Sequence, residues 1–470
     1  MAKKKDQYRC SECGWTTTKW VGQCRECGSW GTLEEDHPTE VASGVVQAIA
    51  PRTPAAPISE VSASNARAYP SGMAELDRVL GGGIVPGAVT LLAGEPGVGK
   101  STLLLDVAAK TARAAAQRGG GPVLYISGEE SASQIRLRAE RIGAITDHLL
   151  LAAETNLETA LGHADSHTPS LLIVDSIQTM YSSQIEGAAG GLSQVRGVAA
   201  RLIAAAKTRN LPVILVGHVT KDGGIAGPRI LEHLVDVVCQ FEGERHAGLR
   251  LLRAVKNRYG PTDEVGCFQM DDSGIVELPD PSGLFLSAAS ADTPGTCVTV
   301  TLEGRRPMPT EVQALVAHTN AGSPRRTTSG IDHNRVTMML AVMQSRLGVD
   351  TSAADVYVST VGGARTSEPA ADLATALAIL SATTNRPVKK DLIAVGEVSL
   401  TGELRATIGL SRRLSEAARL GFKKAIVPDH GADALARIPG ITIYPIADLA
   451  SAGRVALQTK PPNEALEKRS

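Results

Sequence analysis

"GEPGVGKST", residues 94–102, decides the fold. It matches G-x-x-x-x-G-K-[ST] and lies between an apolar run, "VTLLAG" (89–94), and a helical run, "KSTLLLDVAAKTARAAA" (100–116). In a strand–loop–helix of this kind, glycines let backbone N–H groups close on phosphate oxygens, and the helix N-terminus favours the anion. Gly94, Glu95, Pro96, Gly97, Val98, Gly99, Lys100, Ser101 and Thr102 are therefore the expected nucleotide-binding residues. Lys100 is placed to reach the β- and γ-phosphates, and Ser101 to ligate Mg²⁺. The implied cofactors are ATP and Mg²⁺.

Outward from this loop the pattern alternates. "PVLYIS" (122–127), "SLLIVDS" (170–176) and "PVILVGHV" (212–219) read as short apolar strands. "SASQIRLRAERI" (131–142) and "LSQVRGVAARLIAAAKTRN" (192–210) read as helices between them. Crossovers of this kind predict an α/β fold with a mainly parallel sheet and helices on both faces. Asp175, ending "LLIVD", is the expected Mg²⁺ carboxylate, with a buried Asp satisfied by a turn as the alternative. Hydrolysis also needs a carboxylate to orient or deprotonate water. "YISGEES" offers Glu129 and Glu130 past a strand end, where ligands bind in open parallel sheets. Glu129 is the favoured base, with Glu130 at the start of the next helix. His218 at another strand end either senses the γ-phosphate or is a hydrogen-bonded structural histidine.

Four of the seven cysteines, Cys10, Cys13, Cys24 and Cys27, form two C-x-x-C-G knuckles near the N-terminus. Two knuckles complete a closed tetrahedral site, which predicts structural zinc in residues 1–33. Trp15, Trp20 and Trp30 are expected to pack around the metal. Residues 34–68, rich in Ala, Pro and Ser, read as a flexible linker. Cys239, Cys267 and Cys297 stand singly in apolar contexts and read as core.

The chain has 470 residues and a formal charge of −1, so two or three domains are expected and no global field draws it to nucleic acid. No apolar run is long enough to span a bilayer, and no apolar segment follows "MAKKK" as a secretory signal would require. A cytoplasmic protein with reduced thiols is the expectation. "KNRYG" (256–260) lies between strand-like runs at 249–255 and 264–270. It reads either as a solvated hairpin tip or as two cations, Lys256 and Arg258, that reach an anion.

Together these features resemble the RadA/Sms family of bacterial DNA-repair ATPases. The zinc ribbon, the P-loop ATPase and the KNR[FY]G element occur here in that family's order, followed by a region similar to the Lon proteolytic domain. The family's pentapeptide usually carries Phe where this chain has Tyr259. The resemblance implies a RecA-like ATPase domain at 69–284, a Lon-protease-like domain at 285–457 and a polar tail at 458–470. It further implies homohexameric rings with ATP between subunits, in which Lys256 and Arg258 reach the γ-phosphate held by the neighbour's Lys100. Catalytic roles thus fall to Glu129, Lys100, Lys256 and Arg258. Single-stranded and branched DNA, and a RecA-type recombinase, are the implied partners, with branch migration as the activity. The DNA-facing loops are expected at 182–196 and 220–229, with Arg196, Lys221 and Arg229 as contacts.

In the Lon-like region (362–414), "EPAAD" places Ala370 where a Lon nucleophile would be Ser, and the general-base Lys position falls near Ser411. Without an Oγ no acyl-enzyme forms, so no peptidase activity is expected. Arg365, Lys389, Lys390, Arg405, Arg412 and Arg413 are available either for DNA or as a solvated face.

Overall fold

The computed structural model describes residues 8–12, 15–35, 56–60, 67–218, 231–243, 248–271, 274–287, 293–319, 323–430 and 438–459. The chain divides into two compact units, Met1–Ala63 and Ser64–Ser470. In the first, β1 (Tyr8–Cys10), β2 (Thr16–Thr17) and β3 (Leu33–Glu35) form an antiparallel sheet in the order β2-β1-β3. Among the described residues its buried core is Cys10, Cys24 and Leu33, with Tyr8, Trp15 and Val21 against it. So small a core needs a metal staple. Trp15 packs as expected, but Trp20 and Trp30 are 61% and 75% exposed. They flank Gly22 on the surface because the knuckles leave no interior large enough for three indoles.

The second unit begins with a nine-stranded sheet. Its strands are β4 (Val89–Gly94), β5 (Val123–Ser127), β6 (Leu149–Ala153), β7 (Leu171–Asp175), β8 (Val213–His218), β9 (Val237–Gly243), β10 (Leu249–Asn257), β11 (Val265–Asp271) and β12 (Gly274–Glu277). The order is β12-β11-β10-β9-β4-β8-β7-β5-β6. The six strands from β9 to β6 run parallel, and β10, β11 and β12 extend the sheet antiparallel. The helices are α1 (Ala74–Leu80), α2 (Lys100–Gln117), α3 (Ala132–Arg141), α4 (Leu157–His167) and α5 (Leu192–Arg209). Strands β5 and β7 are buried along their whole length, which is why they read as unbroken apolar runs. Two cores result, one built around α1, α2 and α3 and the other around α4 and α5.

A seven-stranded mixed sheet follows. It comprises β13 (Thr296–Glu303), β14 (Arg306–His318), β15 (Arg326–Ser329), β16 (Ala354–Thr360), β17 (Leu392–Ala394), β18 (Lys424–Pro428) and β19 (Thr442–Ile446), in the order β15-β16-β14-β13-β17-β18-β19. The polar stretch at 318–334 contributes a strand, since β15 pairs with β16. The helix Asp372–Thr384 buries ten consecutive residues, from Asp372 to Ser381. Asp372 is 3% exposed, and its two carboxylate oxygens accept from Nε and Nη2 of Arg335 at 2.8 and 2.5 Å.

Arg413 corrects an expectation. It is 2% exposed, and its guanidinium donates to both carboxylate oxygens of Glu368 at 2.8 Å, to the Val300 carbonyl and to the Ile408 carbonyl. A buried side chain with all three guanidinium nitrogens engaged inside the fold is unavailable to DNA. Its neighbour Arg412 is exposed, as are Arg405 and Lys390. Helical spacing separates the two: Arg413 shares a face with the buried Leu410, Leu414 and Ala417, and Arg412 does not.

Candidate active site

The P-loop leaves β4 at Gly94 and enters α2 at Lys100. A Cβ on Gly94 would lie 2.4 Å from the Phe241 carbonyl, and Gly99 has φ +106, so the tight approach excludes other residues here. Lys100 Nζ donates to the Gly94 and Glu95 carbonyls, both at 2.9 Å. Burial draws its ammonium below the usual value, opposed by Asp175 and Glu129. Register puts Gly94 beside His218 and Ser127 beside Asp175, so the strand-end residues gather along one edge of the sheet.

Asp175 is 5% exposed. Its Oδ2 accepts from the Tyr125 hydroxyl at 2.6 Å, while Oδ1 is buried with no hydrogen-bond partner among the described residues. Burial, and then the adjacent carboxylate, push the Tyr125 phenol well up, so Tyr125 stays a donor. A buried carboxylate oxygen with a free lone pair beside Lys100 fits a cation. Ser101 and Asp175 are the residues that would hold Mg²⁺.

The two glutamates separate cleanly. Glu129 Oε1 accepts from Ser176 Oγ at 2.5 Å and from His218 Nε2 at 2.8 Å. Burial opposes ionisation of Glu129, but these hydrogen bonds and the nearby Lys100 hold its carboxyl below the usual range. Glu130 instead pairs with Arg138 on α3. The cap of α3 is supplied by Ser131 and Gln134 as a reciprocal capping box, not by Glu130. Tyr125, Ser176 and Arg250 escaped sequence reading. Arg250, 6% exposed, donates from Nε to the Val98 carbonyl and so supports the P-loop from β10. Nothing local marks that arginine, because its target lies 152 residues away.

KNRYG lies elsewhere. Lys256 and Asn257 belong to β10 rather than to a turn, paired with Val238 and Val237 at the start of β9. Val237 is also opposite Thr90, whereas the P-loop begins at Gly94. The cations therefore sit towards the opposite ends of the strands of the same sheet, roughly 13 Å from the P-loop along four residues of strand. Lys256 Nζ donates to the Glu232 and Val235 carbonyls at 2.8 Å. Arg258 pairs with the buried Asp236 at 3.1 Å, and Asp236 also binds Lys207 and the Val89 amide. Asn257 donates to the Val79 and Leu80 carbonyls at the end of α1. Arg258 remains 57% exposed.

In the N-terminal unit, the thiols of Cys10, Cys24 and Cys27 converge within 4.8 Å of one another, a donor set suited to zinc. Cys13 lies outside the described residues, as do Lys221 and Arg229. Arg196 is exposed, but on the first turns of α5 rather than in a loop. Cys239, Cys267 and Cys297 are buried, and burial pushes their thiols up to about 12, 11 and 12.

Three family models match the chain: an AAA domain over residues 55–224, a rubredoxin metal binding domain over 8–35, and subunit ChlI of Mg-chelatase over 330–431. Curated relatives extend the likeness over almost the whole chain. A protein of Mycolicibacterium smegmatis described as DNA repair protein RadA is 53% identical over 452 residues, 94% of each chain. The chain belongs to the RadA family. A RadA of Bacillus subtilis is 42% identical over 97% of this chain and 100% of its own, and one of Pseudomonas aeruginosa is 45% identical over 91% and 94%. As a member of the RadA family, the chain carries a zinc ribbon, an ATP-hydrolysing AAA-type domain and a ChlI/Lon-like C-terminal domain. Among the described residues, no helix is long and apolar enough to cross a membrane.

Proposed function

We propose that this chain is a DNA-stimulated ATPase of DNA break repair, a motor that extends strand-exchange intermediates by branch migration. The single observation that carries this reading is the separation of its two cationic devices. Lys100 stands at one end of the strands and Lys256 and Arg258 towards the other. One copy cannot bring both to one phosphate, but two copies packed edge to edge can. ATP is then sandwiched at each seam of a ring, with six copies closing it. Heterologous contacts that close by rotation generate rings of this sort.

At a seam, Lys100 and the backbone amides of residues 94–102 hold the phosphates. Glu129 accepts the proton of the attacking water, oriented by Ser176 and His218. Ser101 and Asp175 would hold Mg²⁺, which when bound neutralises charge on the phosphate oxygens. Lys256 and Arg258 of the adjoining copy face the γ-phosphate, and turnover is coupled to subunit movement. Exposed basic residues such as Arg196, Lys390, Arg405 and Arg412 suit backbone contact to single-stranded and branched DNA. A RecA-type recombinase in the cytoplasm is the protein partner this reading implies. Ala370, 1% exposed, leaves the Lon-like domain without a nucleophile, so it serves assembly rather than proteolysis.

The test is Arg258→Ala. Its protomers should bind ATP as the parent does and lose DNA-stimulated hydrolysis by about 10³-fold, the scale of trans cations elsewhere. Undiminished stimulation would reject the seam.

A further inference from the structure

The cavity of about 540 Å³ beneath the P-loop residue Glu95 is lined on one side by β10 and on the other by β13 and β14. It marks a seam between the two sheets of the second unit, and one point on that seam bears directly on Lys256 and Arg258. The β13–β14 hairpin ends in a two-residue turn, Gly304–Arg305, between the paired Glu303 and Arg306. All four residues of this tip engage the ATPase sheet at one place. Glu303 accepts from Arg253 at 2.7 Å. Gly304, at φ +61, comes so close that a Cβ would lie 2.3 Å from the Asp263 carbonyl. The Arg305 amide donates to that carbonyl, and its side chain pairs with the Asp263 carboxylate. Arg306, 7% exposed, enters the core between α1 and β11. There it pairs with Glu75, itself 1% exposed, and donates to the Val265, Leu278 and Pro279 carbonyls.

Arg253 and Val265 are register partners at the end of the β10–β11 ladder. The chain between them is the segment that contains Lys256 and Arg258, so the tip grips both legs of that segment at its base. A buried carboxylate and guanidinium satisfied by four further hydrogen bonds is a fixed joint, since each partner left alone would be an uncompensated buried charge. Arg253, Asp263 and Val265 lie within five residues of the KNRYG ends, and no other described part of the C-terminal sheet touches this base by a hydrogen bond or ion pair.

We infer that the C-terminal domain's β13–β14 tip is the positioning element for Lys256 and Arg258, with Arg306 as its anchor. The inference rests on the seam reading above. Displacing a group by 1 Å from a productive geometry costs up to about 10²-fold in rate, so a loosened tip disables the cations without touching them. The ATPase domain and the C-terminal domain then report on one another through this joint at the base of the KNRYG segment.

Two full-length variants test this. Glu75→Leu/Arg306→Met replaces the buried ion pair by apolar side chains of similar volume, a change that often leaves stability intact. Gly304→Ala pushes the tip off Asp263 and leaves both cores alone. Each should bind one ATP per protomer with unaltered affinity and assemble as the parent does. DNA-stimulated kcat should fall about 10²-fold with KM for ATP unchanged, approaching Arg258→Ala. If either variant folds and keeps full stimulated turnover while Arg258→Ala has lost it, the positioning role is overturned and the seam survives. If Arg258→Ala itself turns over normally, there is nothing to position and both readings fall.

Discussion

Glu129→Gln isolates proton transfer from binding. The side-chain amide oxygen can still accept from Ser176 Oγ and His218 Nε2, now at 2.5 and 2.8 Å from Oε1, so the group stays where it is. Lys100 keeps both P-loop carbonyls, and ATP affinity should hold within about threefold. What disappears is a base, and a positioned base contributes about 10²–10⁴ in rate, equivalent to about 3–5 kcal/mol of barrier. The assay is phosphate release at saturating ATP and DNA, paired with equilibrium nucleotide binding. The pH profile of the parent adds a second reading. Because hydrogen bonds outweigh burial, Glu129 ionises below the usual carboxylate value, so its basic form persists as pH falls through that value. The acid limb of kcat should therefore begin below the ordinary glutamate range. A Glu129→Gln protein that turns over within fivefold of the parent, while Glu130→Gln does not, would refute the assignment.

Arg413→Leu should destabilise the C-terminal domain by about 3 kcal/mol, since it strands the part-buried Glu368 carboxylate, whereas Arg412→Leu should change stability by less than about 0.5 kcal/mol. Urea unfolding followed by circular dichroism compares them. Stripping zinc with a chelator and a thiol-mercaptide reagent should release one metal ion per chain and unfold residues 8–35. ATP binding should survive, because the ribbon belongs to a separate compact unit; nucleotide titration before and after stripping checks this.

The sequence carried those parts of the architecture whose signal is local. The glycine spacing at 94–99, the fully buried β5 and β7, and the cysteine knuckles each state their own structure. Strand β6 and helix α4 left no such mark. Strand β6 is a sheet edge, half-buried at its first four residues and exposed at the fifth, and "LLLAA" contains only Leu and Ala, which favour helix at least as well as strand. Two strands of the antiparallel extension, β10 and β11, are legible in the sequence, but β12 and the register are not, and register is what sends KNRYG to the strand ends away from the P-loop. Long-range partners were invisible for a plain reason. Glu75 looks like any helix-surface glutamate until Arg306, 231 residues on, is folded against it. Arg413 looks like its neighbour Arg412 until the helix phase is known. Charged residues in sequence carry no record of whether water or a buried counter-charge will face them.

Mixed assemblies test the central claim most directly. Lys100→Ala and Arg258→Ala subunits are each expected to be inactive alone, but in a random equal mixture roughly one seam in four joins an intact P-loop to an intact Arg258. DNA-stimulated turnover should rise from near zero to a fraction of that order of the parent rate. Mixed rings that remain inert at every ratio would contradict catalysis shared between neighbouring copies.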